Sequence, residues 1–229
     1  MSDTATAPPE TLDGDLTLGE LRVALAPMVA ENAAFDGWTD MAVRAAAEFE
    51  GVDPEIARLA YPGGPMDMVD AWIESVDAAM ARELPQDVLA TRKVRDRIRD
   101  LVRFRLEQAE GREEALRRAV SVMAMPQNAA RAARIGWRSA DRMWRLAGDT
   151  ATDYNHYTKR AILSGVYAST LAVFLDDRSE GKADSWAFLD RRIDNVMQFE
   201  KVKARLTGSA ERERFSLVRF LGRLRYPVD

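Results

Sequence analysis

An all-α fold is what this sequence predicts, and three observations predict it. Apolar residues recur at three- and four-residue spacing along most of the chain. Cap-forming residues precede those runs, and glycine or proline follows them. No stretch alternates apolar with polar residues as a half-buried strand does. About ten helices are expected. The run from Ile162 to Leu175 organises the rest: it has no charged residue and carries apolar side chains on every face, which predicts a hub helix surrounded by partners. At about 14 residues it falls short of the roughly 20 that cross a bilayer.

Taken in order, residues 1–16 are rich in acids and prolines and read as a disordered tail without the features of a targeting peptide. Thr17 caps a first helix, in which Pro27 predicts a kink or early break. Thr39 caps a second through Phe49, which Gly51 stops. Asp53-Pro54 opens a short helix through Leu59, and Pro65 starts a longer one through Met80. Helix, short helix after a tight turn, then long helix is the order of a TetR-like helix-turn-helix module, here 17–83. A helical ligand-binding and dimerisation domain is expected over 84–207. Within it the helices run along Val94–Leu106, Leu116–Met123, Gln127–Leu146, the hub, and Ser185–Leu206, and an amphipathic helix follows over 208–229.

Charge argues against the DNA-binding use of such a module, because phosphate contacts carry most of that affinity. Between Gly37 and Glu74 only Arg44 and Arg58 are basic, against eight acids. The short helix from Pro54 offers almost no donors to base edges. Arg92, Lys93, Arg95, Arg97, Arg99, Arg103 and Arg105 form a basic run that reads as an ordinary solvated face. A net charge of −4 adds no global attraction to polyanions.

Catalytic signatures are missing. There is no cysteine, a single histidine, no glycine-rich phosphate loop after a strand and no Gly-x-Ser-x-Gly elbow. Asp153 and His156 share a helix face but cannot by themselves make a metal centre. No enzyme, cofactor or metal is expected. Met123, Met125, Met143 and Met197, with Trp144, Trp186 and Phe188, either fill a core or line an adaptable apolar cavity. In the last helix Leu217, Phe220, Leu221 and Leu224 lie on one face, with Arg219 and Arg223 on the other. Such a helix packs on the protein or lies on a membrane surface.

Four segments carry a resemblance: AMPQN from Ala124, Met143-Trp144 leading to Ala147-Gly148-Asp149, DYNHYTKRA from Asp153, and AFLDRRID from Ala187. In these the chain resembles the ubiquinone-biosynthesis accessory protein family, the ninth member of the Coq set, over most of Gly37 to Leu206. That resemblance implies a TetR-like dimer that binds no nucleic acid, holds an isoprenoid or quinone lipid, and meets a di-iron hydroxylase. The implied lipid site is Met143, Trp144, Leu163, Val166, Tyr167, Phe188 and Met197. The implied partner patch is Asp153, Asn155, His156, Tyr157 and Arg160, although animal members carry Trp where this chain has His156. Peripheral association with the cytoplasmic face of an inner membrane is expected through the last helix. A ligand-responsive TetR-type regulator is the alternative.

Overall fold

The computed structural model describes residues 16–150 and 154–196. They form ten α-helices and no strand among the described residues. The first is α1 (Leu18–Asp36), followed by α2 (Asp40–Glu50), α3 (Pro54–Leu59) and α4 (Pro65–Glu83). Next come α5 (Gln86–Ala90), α6 (Val94–Glu107), α7 (Glu113–Ala124), α8 (Ala129–Leu146) and α9 (Tyr154–Asp176). The described part of α10 spans 183–196.

Local chemistry explains the boundaries. The Thr17 hydroxyl accepts from Glu20 N–H while the Glu20 carboxylate accepts from Thr17 N–H, closing a capping box at the start of α1. Asp53 caps α3 by accepting from Glu55 N–H at 2.8 Å. Gly51 ends α2 in the left-handed region, φ 71°. Two expectations need correction. Pro27 does not break α1, because Leu25, Ala26, Val29, Ala30 and Ala33 are all buried and hold the helix across the one lost hydrogen bond. Thr39 stands at the start of α2 without a side-chain cap; its hydroxyl donates back to the Asp36 carbonyl instead.

α1 is the pillar of the first module, packed on α2, α4 and α7. Trp38 stacks on Trp72 with ring centroids 5.5 Å apart, and its indole N–H donates to the Ala115 carbonyl of α7 at 3.1 Å. Arg131 and Arg138 of α8 pair with Asp67 and Asp70 of α4. Segments 17–83 and 84–196 therefore share one hydrophobic core.

The basic run on α6 is not a plain solvated face. Arg92 pairs with Asp100, Arg95 with Asp194, Arg99 with Asp190, and Arg103 with Glu107. Arg97 donates to the carbonyls of Ala90, Arg92 and Ala147, and Arg105 is buried against Asp77. Arg95, Arg97, Arg99 and Arg105 thus tie α6 to α10, to the end of α8 and to α4, whereas Arg92 and Arg103 pair locally.

α9 is a hub on only part of its circumference. Leu163, Val166, Thr170 and Phe174 are buried, whereas Ala161, Gly165, Ala168 and Ala172 form an exposed stripe. The sequence shows both faces as uncharged, and alanine or glycine satisfies either environment.

After α9, Asp177 ties the turn into α10. Its carboxylate accepts from the N–H and hydroxyl of both Ser179 and Ser185, at 2.5–2.8 Å. Burial pushes the Asp177 carboxyl up, but these four bonds outweigh it and hold the group well below its ordinary 3.8. A lowered folded-state value gives stability that is present above the unfolded value and lost as pH falls through the folded one. The stability gap between the parent chain and Asp177→Ala, read by urea unfolding, should therefore be full at pH 7 and shrink progressively below pH 3.8.

Candidate functional site

Between α4, α6, α7, α8 and α9 lies an apolar cavity of about 430 Å³ that opens to the surface along the exposed Ala161 and Ala168 of α9. That is within the roughly 300–1,000 Å³ of small-molecule pockets. It exists because several facing positions are small: Ala119 on α7, Ala132, Gly136 and Ala140 on α8, and Ala161, Ser164 and Ala168 on α9. Larger side chains, Trp72, Ile73, Met123, Trp137, Met143 and Leu171, close the walls. A Cβ added at Gly136 would meet no atom within 4 Å, so the space continues to the α8 backbone.

One end of the cavity is polar. Arg105, 5% exposed, reaches Asp77, which is 1% exposed, across α6 and α4. The Ser139 hydroxyl donates to the other Asp77 oxygen at 3.0 Å. The Arg105 guanidinium lies 5.1 Å from the Tyr167 ring centroid, and Tyr167 also lines the cavity.

Near α9's first turns, Trp137 of the cavity wall sits 5.9 Å from the Tyr157 ring, and His156 meets Tyr157 edge-on at 5.2 Å. Tyr157 is 62% exposed. The cavity wall and this surface aromatic group thus share one residue, Trp137.

The lipid-site expectation divides. Met143 and Tyr167 line the cavity. Trp144 does not: its indole N–H donates to the Lys159 carbonyl at 2.9 Å, and its ring faces a narrow crevice with Leu163, Val166, Ile98 and Ile193. Leu163 and Val166 are on the side of α9 turned toward α6 and α10, across the helix from Ala161 and Ala168. Phe188 lies in a separate α9–α10 groove beside Arg192. Met197 is outside the described residues, as are Leu217, Arg219, Phe220, Leu221, Arg223 and Leu224. Ile73, Arg105, Ala119, Gly136, Trp137 and Ser139 were not foreseen as wall residues. For Gly136 and Ser139 the sequence signal is the crowding of small residues along α8; Ile73, Arg105 and Ala119, on other helices, carry none.

The partner patch divides too. His156 and Tyr157 stand together in the aromatic group. Asp153 and the Asn155 side chain are outside the described residues. Arg160 moves from the patch to the interior: it is 1% exposed, with Asp141 at 2.6 Å, Asp149 at 3.0 Å and the His156 carbonyl at 3.1 Å. Lys159 takes the other Asp149 oxygen at 2.5 Å. Gly148, φ 87°, turns the chain so that Asp149 can face both cations. Two of the motif segments are thus halves of one elbow between α8 and α9. Among the described residues no group of three or more His, Asp or Glu could hold a metal ion, and no helix is long and apolar enough to cross a membrane.

Fold and cavity together define a TetR-like helical domain. A TetR transcriptional regulator from Nitrosomonas europaea ATCC 19718 superposes with a TM-score of 0.61 over 78% of this chain and 98% of its own, at 19% identity. The sequence is more particular: residues 129–200 match the COQ9 family model. The chain is 29% identical to the ubiquinone biosynthesis protein COQ9, mitochondrial, of Rattus norvegicus over 182 residues, covering 76% of this chain and 58% of that protein. It is 27% identical to the Homo sapiens protein of that name, with 76% and 57% covered. Against COQ9-B of Xenopus laevis identity is 33% over 114 residues, with 50% and 39% covered. The chain spans little more than half the length of the mammalian relatives.

Proposed function

We propose that this protein is a non-catalytic accessory factor of ubiquinone biosynthesis that holds an isoprenoid or quinone-like lipid and presents it to a membrane-associated hydroxylase. The observation that carries the reading is the apolar cavity among α4 and α6–α9, whose wall is continuous through Trp137 with the exposed Tyr157. At about 25 cal/mol per Å² of apolar surface removed from water, burial in such a site supplies affinity without any hydrogen bond. Tyr157 and His156 offer the partner an aromatic anchor, the commonest kind of interface hot spot. Working as a homodimer at the cytoplasmic face of an inner membrane, through a terminal helix, completes the proposal. The relatives are named mitochondrial ubiquinone biosynthesis proteins, which supports the pathway.

Native mass spectrometry of the gently purified chain tests the cavity. Wild type should release a co-purified lipid, and Gly136→Leu, which projects into open space, should lose it with no fall in melting temperature. Equal lipid yield from both would remove the cavity from the account. For the patch, Tyr157→Lys should lower co-purification of the hydroxylase while leaving unfolding unchanged. The regulator alternative is less supported, because both Arg44 and Arg58 lie near Glu55 on the α2–α3 surface. A gel shift on the chain's own upstream DNA at low salt would reverse that ranking.

A further inference from the structure

Resting on the cavity reading above, we infer that the lipid enters head first and that its head carries a neutral oxygen acceptor, of the ring-carbonyl or phenol kind, docked on Arg105. Arg105 lines the cavity and is almost fully buried, and its Nε–H has no acceptor among the described residues. A buried donor without a partner is costly, and a ligand oxygen that met it would be held by more than apolar contact. The rest of the wall is nearly all hydrocarbon, so this end is where polarity in a ligand finds an answer.

Charge narrows the ligand class. Asp77 already balances Arg105 and accepts the Ser139 hydroxyl as well. A carboxylate or phosphate would bring a second negative charge into this buried pair, where ions are poorly solvated. A neutral acceptor adds a hydrogen bond without that repulsion. Tyr167, stacked against the Arg105 guanidinium, offers a flat wall on which a planar ring can lie. Size sets the orientation. The space holds about 14 groups of the volume of a water molecule, roughly 30 Å³ each, which suits a substituted ring and a few tail carbons. The remainder of a long tail has to leave past the small residues of α8 and α9.

Equilibrium dialysis of the full chain against three probes with ten-carbon tails tests this: a decyl-substituted benzoquinone, decylbenzene and decanoate. Wild type should bind the quinone about tenfold more tightly than decylbenzene, the size expected for one hydrogen bond to a charged donor. Decanoate should gain nothing over decylbenzene. The carbonyl stretch of the bound quinone should move to lower wavenumber. Because Arg105 alone cannot be removed without stranding Asp77, the variant is the double Asp77→Leu/Arg105→Met. It should lose the preference for quinone over decylbenzene, whatever its affinity for decylbenzene itself, and lose the infrared shift. Equal binding of quinone and decylbenzene by wild type overturns the head-first assignment and leaves the apolar cavity standing. So does a quinone preference that survives in the double variant, or a preference for decanoate. Failure of all three probes to bind overturns the cavity reading itself, and this inference with it.

Discussion

Asp77→Ala should destabilise the chain by about 3–5 kcal/mol, the usual cost of removing one member of a buried ion pair. The cost does not come from losing a strong bond. Arg105 stays behind, 5% exposed, with its charge uncompensated and the Ser139 hydroxyl deprived of its acceptor. The same reasoning gives a contrast that a simple strong-contact account does not. Asp77→Leu/Arg105→Met removes both charges and fills the space with hydrocarbon, so it should unfold within about 1 kcal/mol of wild type or later. Urea unfolding followed by circular dichroism measures both. A double variant as unstable as the single one would mean that shape, not charge, governs this site.

Arg160→Ala should cost a comparable 3–5 kcal/mol, and this separates two roles for the residue. A surface residue waiting for a partner can be truncated with little effect on stability, commonly within about 0.5 kcal/mol. Arg160 instead bridges Asp141 and Asp149 and donates to the His156 carbonyl, so its removal takes away the one side chain seen to join these two carboxylates and unfastens α8 from α9. Arg160→Lys should recover only part of the loss, because an ammonium cannot span two carboxylates with the fixed fork of a guanidinium. Under the proposed function, a fall in hydroxylase binding by Arg160→Ala would then be a consequence of lost folding. Reduced binding by Tyr157→Lys at unchanged stability is a consequence of lost contact.

Sequence periodicity was sufficient for the helices and their order, since each buried stripe repeats at helical spacing and the first module's ends carry caps or glycines at Thr17, Gly37, Gly51, Asp53 and Gly64. α5 escaped because Gln86–Ala90 is a single turn anchored by one buried residue, Leu89, and no period can be read from five residues. The site was harder to see. Which side of α9 faces a cavity cannot be told when both sides are uncharged, so Leu163 and Val166 stood as plausible as Ala161 and Ala168. Arg105 looked like one more cation in a basic run, because its partner Asp77 is 28 residues away on another helix. Arg160 looked like part of a surface motif for a similar reason: nothing in DYNHYTKRA says that its cations are answered by Asp141 within α8 and Asp149 on the elbow after it.

At Gly148 the backbone takes a φ of 87°, and a Cβ there would sit 3.1 Å from an Arg97 nitrogen that is itself bonded to the Ala147 carbonyl. Any other residue must either abandon that conformation, swinging Asp149 off its cations, or evict Arg97 from the corner it closes. Three helices, α6, α8 and α9, therefore meet at a single locked joint. A single substitution at this joint therefore disturbs acid, base and bend together.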